Sequence, residues 1–273
     1  MKFINYSFIL ICLVFVACSD YNKVLKSPNP ELKYTKALEY YEAEEYLKAQ
    51  PLLEEILPLY KGTDKGQEIY FYYAYTNYFL GDLIIAAYHF KNYASTFPLN
   101  EKAQEALYMS AYCNYLDSPN PSLDQTPTKI ALEELQVFVN TYPQSDLVDS
   151  ANSLVDELNY KLEVKDFLNS KQYYKIRRYK STIVALNDFL SKYPSSEFAE
   201  EAKFTIVEAY YYLAINSIES KKLERFDEGM EAYIDFIDNF ADGSKSKDAQ
   251  LIYTKLVRER EKFLQENPNN YEF

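Results

Sequence analysis

From Glu31 towards the C-terminal end, apolar residues recur three and four positions apart, and alternation of apolar with polar residues is almost absent. That spacing puts the apolar side chains on one helix face and predicts an all-helical chain. Proline marks where helices stop. Pro98, Pro143 and Pro194 each follow an aromatic residue, and a second aromatic lies four positions before that one: Tyr93/Phe97, Phe138/Tyr142 and Phe189/Tyr193. Phe236/Phe240 repeats the pair with Ala241 in place of proline, and Ile56/Tyr60 is an earlier version ending in Lys61. Seven positions before the first member stand Ala49, Ala86, Ala131, Thr182 and Gly229; ten before it stand Tyr46, Leu83, Thr128, Tyr179 and Phe226. These offsets lie close to one helix face. A small residue lets a neighbouring helix approach, the aromatics fill the gap beside it, and proline ends the helix.

The anchors are 37, 45, 51 and 47 residues apart, against about 34 residues for a minimal tetratricopeptide unit. The excess falls in 116–128, which holds Pro119, Pro121 and Pro127, in 146–178 and in 214–225. The first helices of the units are expected at 31–42, 67–79, 101–115, 146–161 and 197–215. The second helices are expected at 45–60, 82–97, 128–142, 178–193 and 226–239. A charged helix at 247–265 closes the chain. The expected fold is all-α, a tetratricopeptide-like helical repeat superhelix of about five helix-turn-helix units plus a C-terminal helix, each unit packing on its neighbours. The stretch 146–165 is the best place for a subdivision.

The N-terminus is read differently. Lys2 is the only charge before the apolar run Phe8 to Ala17, which is too short to span a bilayer. It ends in Phe15-Val16-Ala17-Cys18, similar to a bacterial lipoprotein signal in which Cys18 becomes the acylated N-terminus; an ordinary secretory signal cut near Ala17 is the alternative. The expected organisation is a signal peptide at 1–17, an extended lead-in at 18–30 in which Pro28 and Pro30 forbid a helix, repeats one to three at 31–145, repeats four and five with the terminal helix at 146–265, and a tail at 266–273. Beyond Cys18 only Cys113 remains, so no internal disulfide is available and helix packing must hold the chain together.

Composition narrows the function. Of 273 residues, 5 are glycine, too few for a fold with several phosphate loops. A net charge of -12 argues against nucleic acid and against a polybasic hold on an anionic membrane. His89 is the only histidine, and there is no CxxC pair, nucleophile elbow, phosphate loop or calcium loop, so neither catalysis, cofactor nor metal is expected. Pairs such as Glu54/Glu55, Glu133/Glu134 and Glu200/Glu201 read as solvated helix faces, and Cys113 as a buried small residue.

Tyrosine, at 29 residues, is the plausible functional currency. The run Tyr70 to Phe79 carries aromatics all round its helix, so they cannot all face one core. Each tyrosine serves either packing between helices or an interface that uses its rigid ring and polar tip. Tyr41, Tyr72, Tyr75 and Tyr78 rank first for a peptide groove. Lys171 to Lys180 is a local basic patch in an acidic chain: Lys175, Arg177, Arg178 and Lys180 suit docking on an acidic partner protein, with a solvated face as the alternative. Arg258 and Arg260 make a second patch on the last helix.

With the lipoprotein-like signal at Cys18, the first unit YTKALEYYEAEEYLKAQPLLEEI, the second YFYYAYTNYFLGDLIIAAYHFKNYASTFP and the segment KIRRYKSTIVALNDFLSKYP, the chain resembles the BamD lipoprotein family of the outer-membrane β-barrel assembly machinery. The resemblance covers residues 18 to 265. It implies a non-catalytic lipoprotein on the periplasmic face of the outer membrane, held there by lipid. It implies contact with unfolded barrel proteins through 31–143 and with the BamA-like barrel insertase through 173–193 and 226–262, with other lipoproteins of the complex as possible partners. The long insertion 118–128 and the missing last proline depart from the family. A periplasmic adaptor for cell-wall or polysaccharide machinery, and an enzyme on a helical scaffold, are the competing readings.

Overall fold

The computed structural model describes residues 20–267. All regular structure among them is helical: α1 Pro30–Glu42, α2 Tyr46–Ile56 with a 3₁₀ turn Leu57–Tyr60, α3 Asp64–Phe79, α4 Leu83–Thr96, α5 Ala103–Asp117, α6 Thr126–Thr141, α7 Val148–Lys175, α8 Tyr179–Lys192, α9 Ala199–Ile215, α10 Glu219–Phe240 and α11 Ser246–Glu266. The helices pair as repeats, α1/α2, α3/α4, α5/α6 and α9/α10, and α11 packs on α9 and α10; α7 meets α8 through Phe167 against Phe189, with centroids 5.4 Å apart. Two compact units divide the chain, Met1–Leu158 and Asn159–Phe273. The first takes in the beginning of α7.

The repeat arithmetic becomes packing. Ile56, Tyr93, Phe138 and Phe236 are fully buried and Phe189 nearly so; Ala49, Ala86, Ala131 and Thr182 are fully buried seven positions earlier. Burying each large anchor contributes about 1.5–3 kcal/mol. At Gly229 the reason for a small residue is direct: a Cβ there would lie 3.0 Å from Leu256 Cδ2 and 3.1 Å from Tyr210 Cβ. Every buried side-chain nitrogen and oxygen among the described residues has a hydrogen-bond partner.

The turns repeat as well. After α1, α3 and α7 the chain passes through Glu44, Gly81 and Arg177, all with φ between 58° and 82°. In each case the next amide closes onto a carbonyl five residues back: Glu45 on Tyr40 at 2.8 Å, Asp82 on Asn77 at 3.0 Å and Arg178 on Tyr173 at 2.8 Å. This is the Schellman end of a helix, which favours glycine. Two of the three positions carry a side chain there. After α4, α6 and α8 the proline turn is closed by Asn100, Ser145 and Ser196, whose side chains accept from the amides of Lys102, Leu147 and Phe198 at 2.8–3.1 Å. Where the last unit lacks proline, Gly243 takes that position and the Glu200 carboxylate accepts from the Lys245 amide at 2.6 Å.

Three expectations are corrected. Residues 20–25 are helical rather than extended, with Val24 buried against Ala37, Leu52 and Leu53. Proline restricts the residue just before it, so Pro28 does not reach back that far. The helix expected at 146–161 is the 28-residue α7, since no proline or glycine interrupts it. Residues 219–225, expected as insertion, are the first turns of α10. The insertion at 118–128 is closed by buried Gln125, whose amide donates to Asn120 O at 2.8 Å while its oxygen accepts from Thr128 at 2.7 Å. The signal and Cys18 lie outside the described residues, as do residues 268–273 of the expected tail.

Candidate functional site

In the first unit the four ranked tyrosines lie on or beside one aromatic belt. Tyr41 on α1 meets Tyr72 on α3 edge to face, with centroids 4.8 Å apart. Phe79, at the end of α3, stacks on Tyr46 of α2 at 4.6 Å and also touches Tyr41, Tyr75 and Tyr78 at 5.2–6.1 Å. Tyr78 meets Tyr112 of α5 at 6.4 Å, and Tyr112 stacks on Tyr108 and Tyr115 at 6.0 and 5.8 Å. Ring contact is therefore continuous from Tyr46 on α2 through α3 to Tyr115 on α5. All of these tyrosines are half-buried and Phe79 is 47% exposed, so the belt presents ring area to a ligand. Phe79, which the sequence ranking omits, is its centre. The signal for it is spacing, four positions after Tyr75 and seven after Tyr72, which is one helix face.

Several other tyrosines serve packing between helices. Tyr70 and Tyr73 sit on the opposite face of α3, lining a hollow of about 500 Å³ with Leu57, Pro58, His89 and Phe97. Hydroxyls on the first helix of one unit donate to carboxylates on the first helix of the next: Tyr34 to Glu68 at 2.8 Å, Tyr75 to Glu105 and Tyr115 to Glu157. Burial, followed by the Glu105 hydrogen bond, raises the Tyr75 hydroxyl pKa. The Glu157 hydrogen bond, followed by burial, pushes Tyr115 up to about 12. Tyr75 thus serves both purposes, its ring in the belt and its hydroxyl as a link between repeats.

In the second unit the basic turn joins α7 to α8. Lys175, Arg177, Arg178 and Lys180 are exposed, and none has a carboxylate within ion-pair distance among the described residues. Arg177 is held in the left-handed region, at about 1–2 kcal/mol for a residue with a Cβ. Ile176, between them, is 55% exposed. Arg258 and Arg260 lie elsewhere, on α11, and both are paired: Arg258 with Glu259 at 3.0 Å and Arg260 with Asp227 at 2.6 Å. The charge of that second patch is therefore largely compensated.

The Cys113 thiol is buried and pushed up to about 12 by burial and then by Glu134, leaving it protonated and inert. Burial lowers the pKa of His89, whose Nδ1 lies 3.4 Å from the Tyr70 hydroxyl. Among the described residues no group of three or more metal-ligating side chains occurs, and no helix is long and apolar enough to cross a membrane.

The outer membrane lipoprotein family YfiO matches residues 27–226. The outer membrane protein assembly factor BamD of Caulobacter vibrioides is 27% identical over 124 residues, which is 45% of this chain and 41% of that protein. The protein of the same name from Vibrio cholerae is 22% identical over 233 residues, covering 81% of this chain and 97% of that protein. The chain thus spans less than half of the first relative and nearly all of the second.

Proposed function

The chain belongs to the outer membrane lipoprotein family YfiO, and on that premise we propose that it is a non-catalytic scaffold of outer-membrane protein assembly. In this reading the aromatic belt of the first unit receives unfolded barrel proteins, and the second unit docks on the barrel insertase through the basic turn at Lys175, Arg177, Arg178 and Lys180. Lipid on Cys18 holds the body at the periplasmic face of the outer membrane, and other lipoproteins of the assembly join it there.

The observation that carries the substrate half is the unbroken ring contact from Tyr46 to Tyr115. An unfolded barrel strand presents apolar side chains on one face and unpaired backbone groups along its edges. Tyrosine offers both an apolar ring and a hydroxyl, at low entropic cost, without demanding one sequence. Many weak contacts also allow release, which a tight pocket would not.

Depletion of the protein, followed by measurement of assembled barrel proteins in the outer membrane, tests this reading. A fall in assembled barrels, reversed by the wild-type chain, is expected. Unchanged barrels with altered cell wall or surface polysaccharide would replace it by an adaptor role.

A further inference from the structure

The hollow on the far side of α3 from the aromatic belt is used by neither surface of the function proposed above. Its volume, about 500 Å³, falls within the range of about 300–1,000 Å³ usual for small-molecule sites. Four rings line it. His89 on α4 meets Tyr73 and Tyr70 on α3 edge to face, with centroids 4.8 and 5.7 Å apart, and Phe97 stands at the end of α4. Leu57 and Pro58, in the 3₁₀ turn after α2, add to the apolar wall.

The wall is built before any ligand arrives. The Thr63 hydroxyl donates to the Tyr60 carbonyl at 2.7 Å and accepts from the Gly66 amide at 3.0 Å. A Cβ at Gly66 would collide with that same carbonyl oxygen, so glycine is required for α3 to start this close to the turn. A preformed hollow spares a ligand the cost of ordering its site.

Two opposite charges stand at the rim. Glu54 and Lys61 are exposed, and neither has an ion-pair or hydrogen-bond partner among the described residues. They are seven residues apart along α2 and its turn, roughly 10–12 Å at 1.5–2.0 Å per residue. His89, whose pKa burial lowers, adds no charge at neutral pH, and Thr96 is the remaining polar side chain. The hollow thus offers one anion, one cation and an aromatic interior. Inorganic phosphate has no apolar body to fill it. A fatty acid has no cation for Glu54. The end of a polypeptide carries only one of the two charges. A free aromatic amino acid carries a ring and both charges.

We propose that this hollow binds a free aromatic amino acid, with its ring among Tyr70, Tyr73, His89 and Phe97, its ammonium on Glu54 and its carboxylate on Lys61. The site goes beyond the assembly role and does not depend on it.

The test uses the full chain without a histidine tag. Its single histidine then gives one imidazole signal in NMR, which reports occupancy of this hollow alone. L-Phenylalanine is expected to move that signal saturably. 3-Phenylpropionate and phenethylamine each lack one charge and are expected to bind about fivefold more weakly. E54Q is expected to bring phenylalanine down to the affinity of phenylpropionate, and K61Q to that of phenethylamine. An unmoved His89 signal at millimolar phenylalanine overturns the proposal. So does equal binding of the three ligands, which describes a plain apolar hollow, or tightest binding of phenylpropionate, which describes capture of an anionic chain end. Unchanged phenylalanine binding in E54Q or K61Q overturns it as well.

Discussion

In the first unit, the face left over after the helices have packed is aromatic: Tyr41, Tyr46, Tyr72, Tyr75, Tyr78, Phe79 and Tyr112 touch in one belt. In the second, tyrosines meet in small separate groups, such as Tyr179 on Tyr212 at 5.3 Å and Tyr233 on Tyr253 at 4.3 Å, and the exposed turn at Arg177 and Arg178 is basic. The repeat is the same in both, with a buried anchor, a small residue seven positions earlier and an aromatic four positions later. What differs is the outward face of the helices, which packing leaves unconstrained. The repeat therefore sets stability, and in the function proposed above the leftover face sets the kind of ligand: ring contacts in one unit, a basic turn in the other.

The comparison can be tested from its strongest shared feature downwards. Phe138→Ala and Phe236→Ala remove equivalent fully buried anchors, one in each unit. Each is expected to destabilise its unit by about 3–5 kcal/mol, read from urea unfolding. A much smaller loss at one of them would show that the two units do not share the same packing. Arg177→Gly relieves a left-handed residue and removes a charge at once. A gain of about 1 kcal/mol in stability is expected, together with weaker partner docking. A loss of stability would mean that the Arg177 side chain is needed for folding.

Tyr75→Phe keeps the ring and removes the hydroxyl that donates to Glu105. A loss of about 1 kcal/mol is expected, with substrate binding unchanged. The effect of tyrosine ionisation is smallest at neutral pH. Tyr93 and Tyr115 are both held up at about 12, Tyr93 chiefly by burial and Tyr115 chiefly by its Glu157 hydrogen bond. Because their folded values lie above the unfolded value of about 10, the stability they give is complete below it and is lost as pH rises through about 12. Alkaline titration followed by tyrosinate absorbance and helicity should therefore show late ionisation, accompanied by loss of structure. Early ionisation with the helices intact would contradict the buried, hydrogen-bonded placement.

Much of the architecture is legible in the chain because it is periodic. Ala86, Tyr93 and Phe97 announce their roles through spacing alone, and so do their counterparts. Features that depend on distant partners are not legible. Nothing local to Tyr115 points to Glu157 on a later helix, so the tyrosine excess and the acidic charge look like separate facts until they meet. The left-handed turn is readable at Gly81 but hidden at Glu44 and Arg177, where surrounding hydrogen bonds override preference. The length of α7 is hidden for the opposite reason, since the sequence offers no signal to stop before Lys175. In the candidate site, spacing on α3 points to Tyr72, Tyr75 and Tyr78, but the centrality of Phe79 appears only when Tyr46 arrives from α2.

The central claim is that substrate and partner use different units. It is tested most directly by measuring the affinity of the full chain for a chemically unfolded outer-membrane barrel protein in two variants, Y72A/F79A and R178E/K180E. The expected result is a loss of about tenfold in the first, from two missing ring contacts of roughly 0.5–1.5 kcal/mol each, and wild-type affinity in the second. Wild-type affinity in Y72A/F79A with a loss in R178E/K180E would contradict the account.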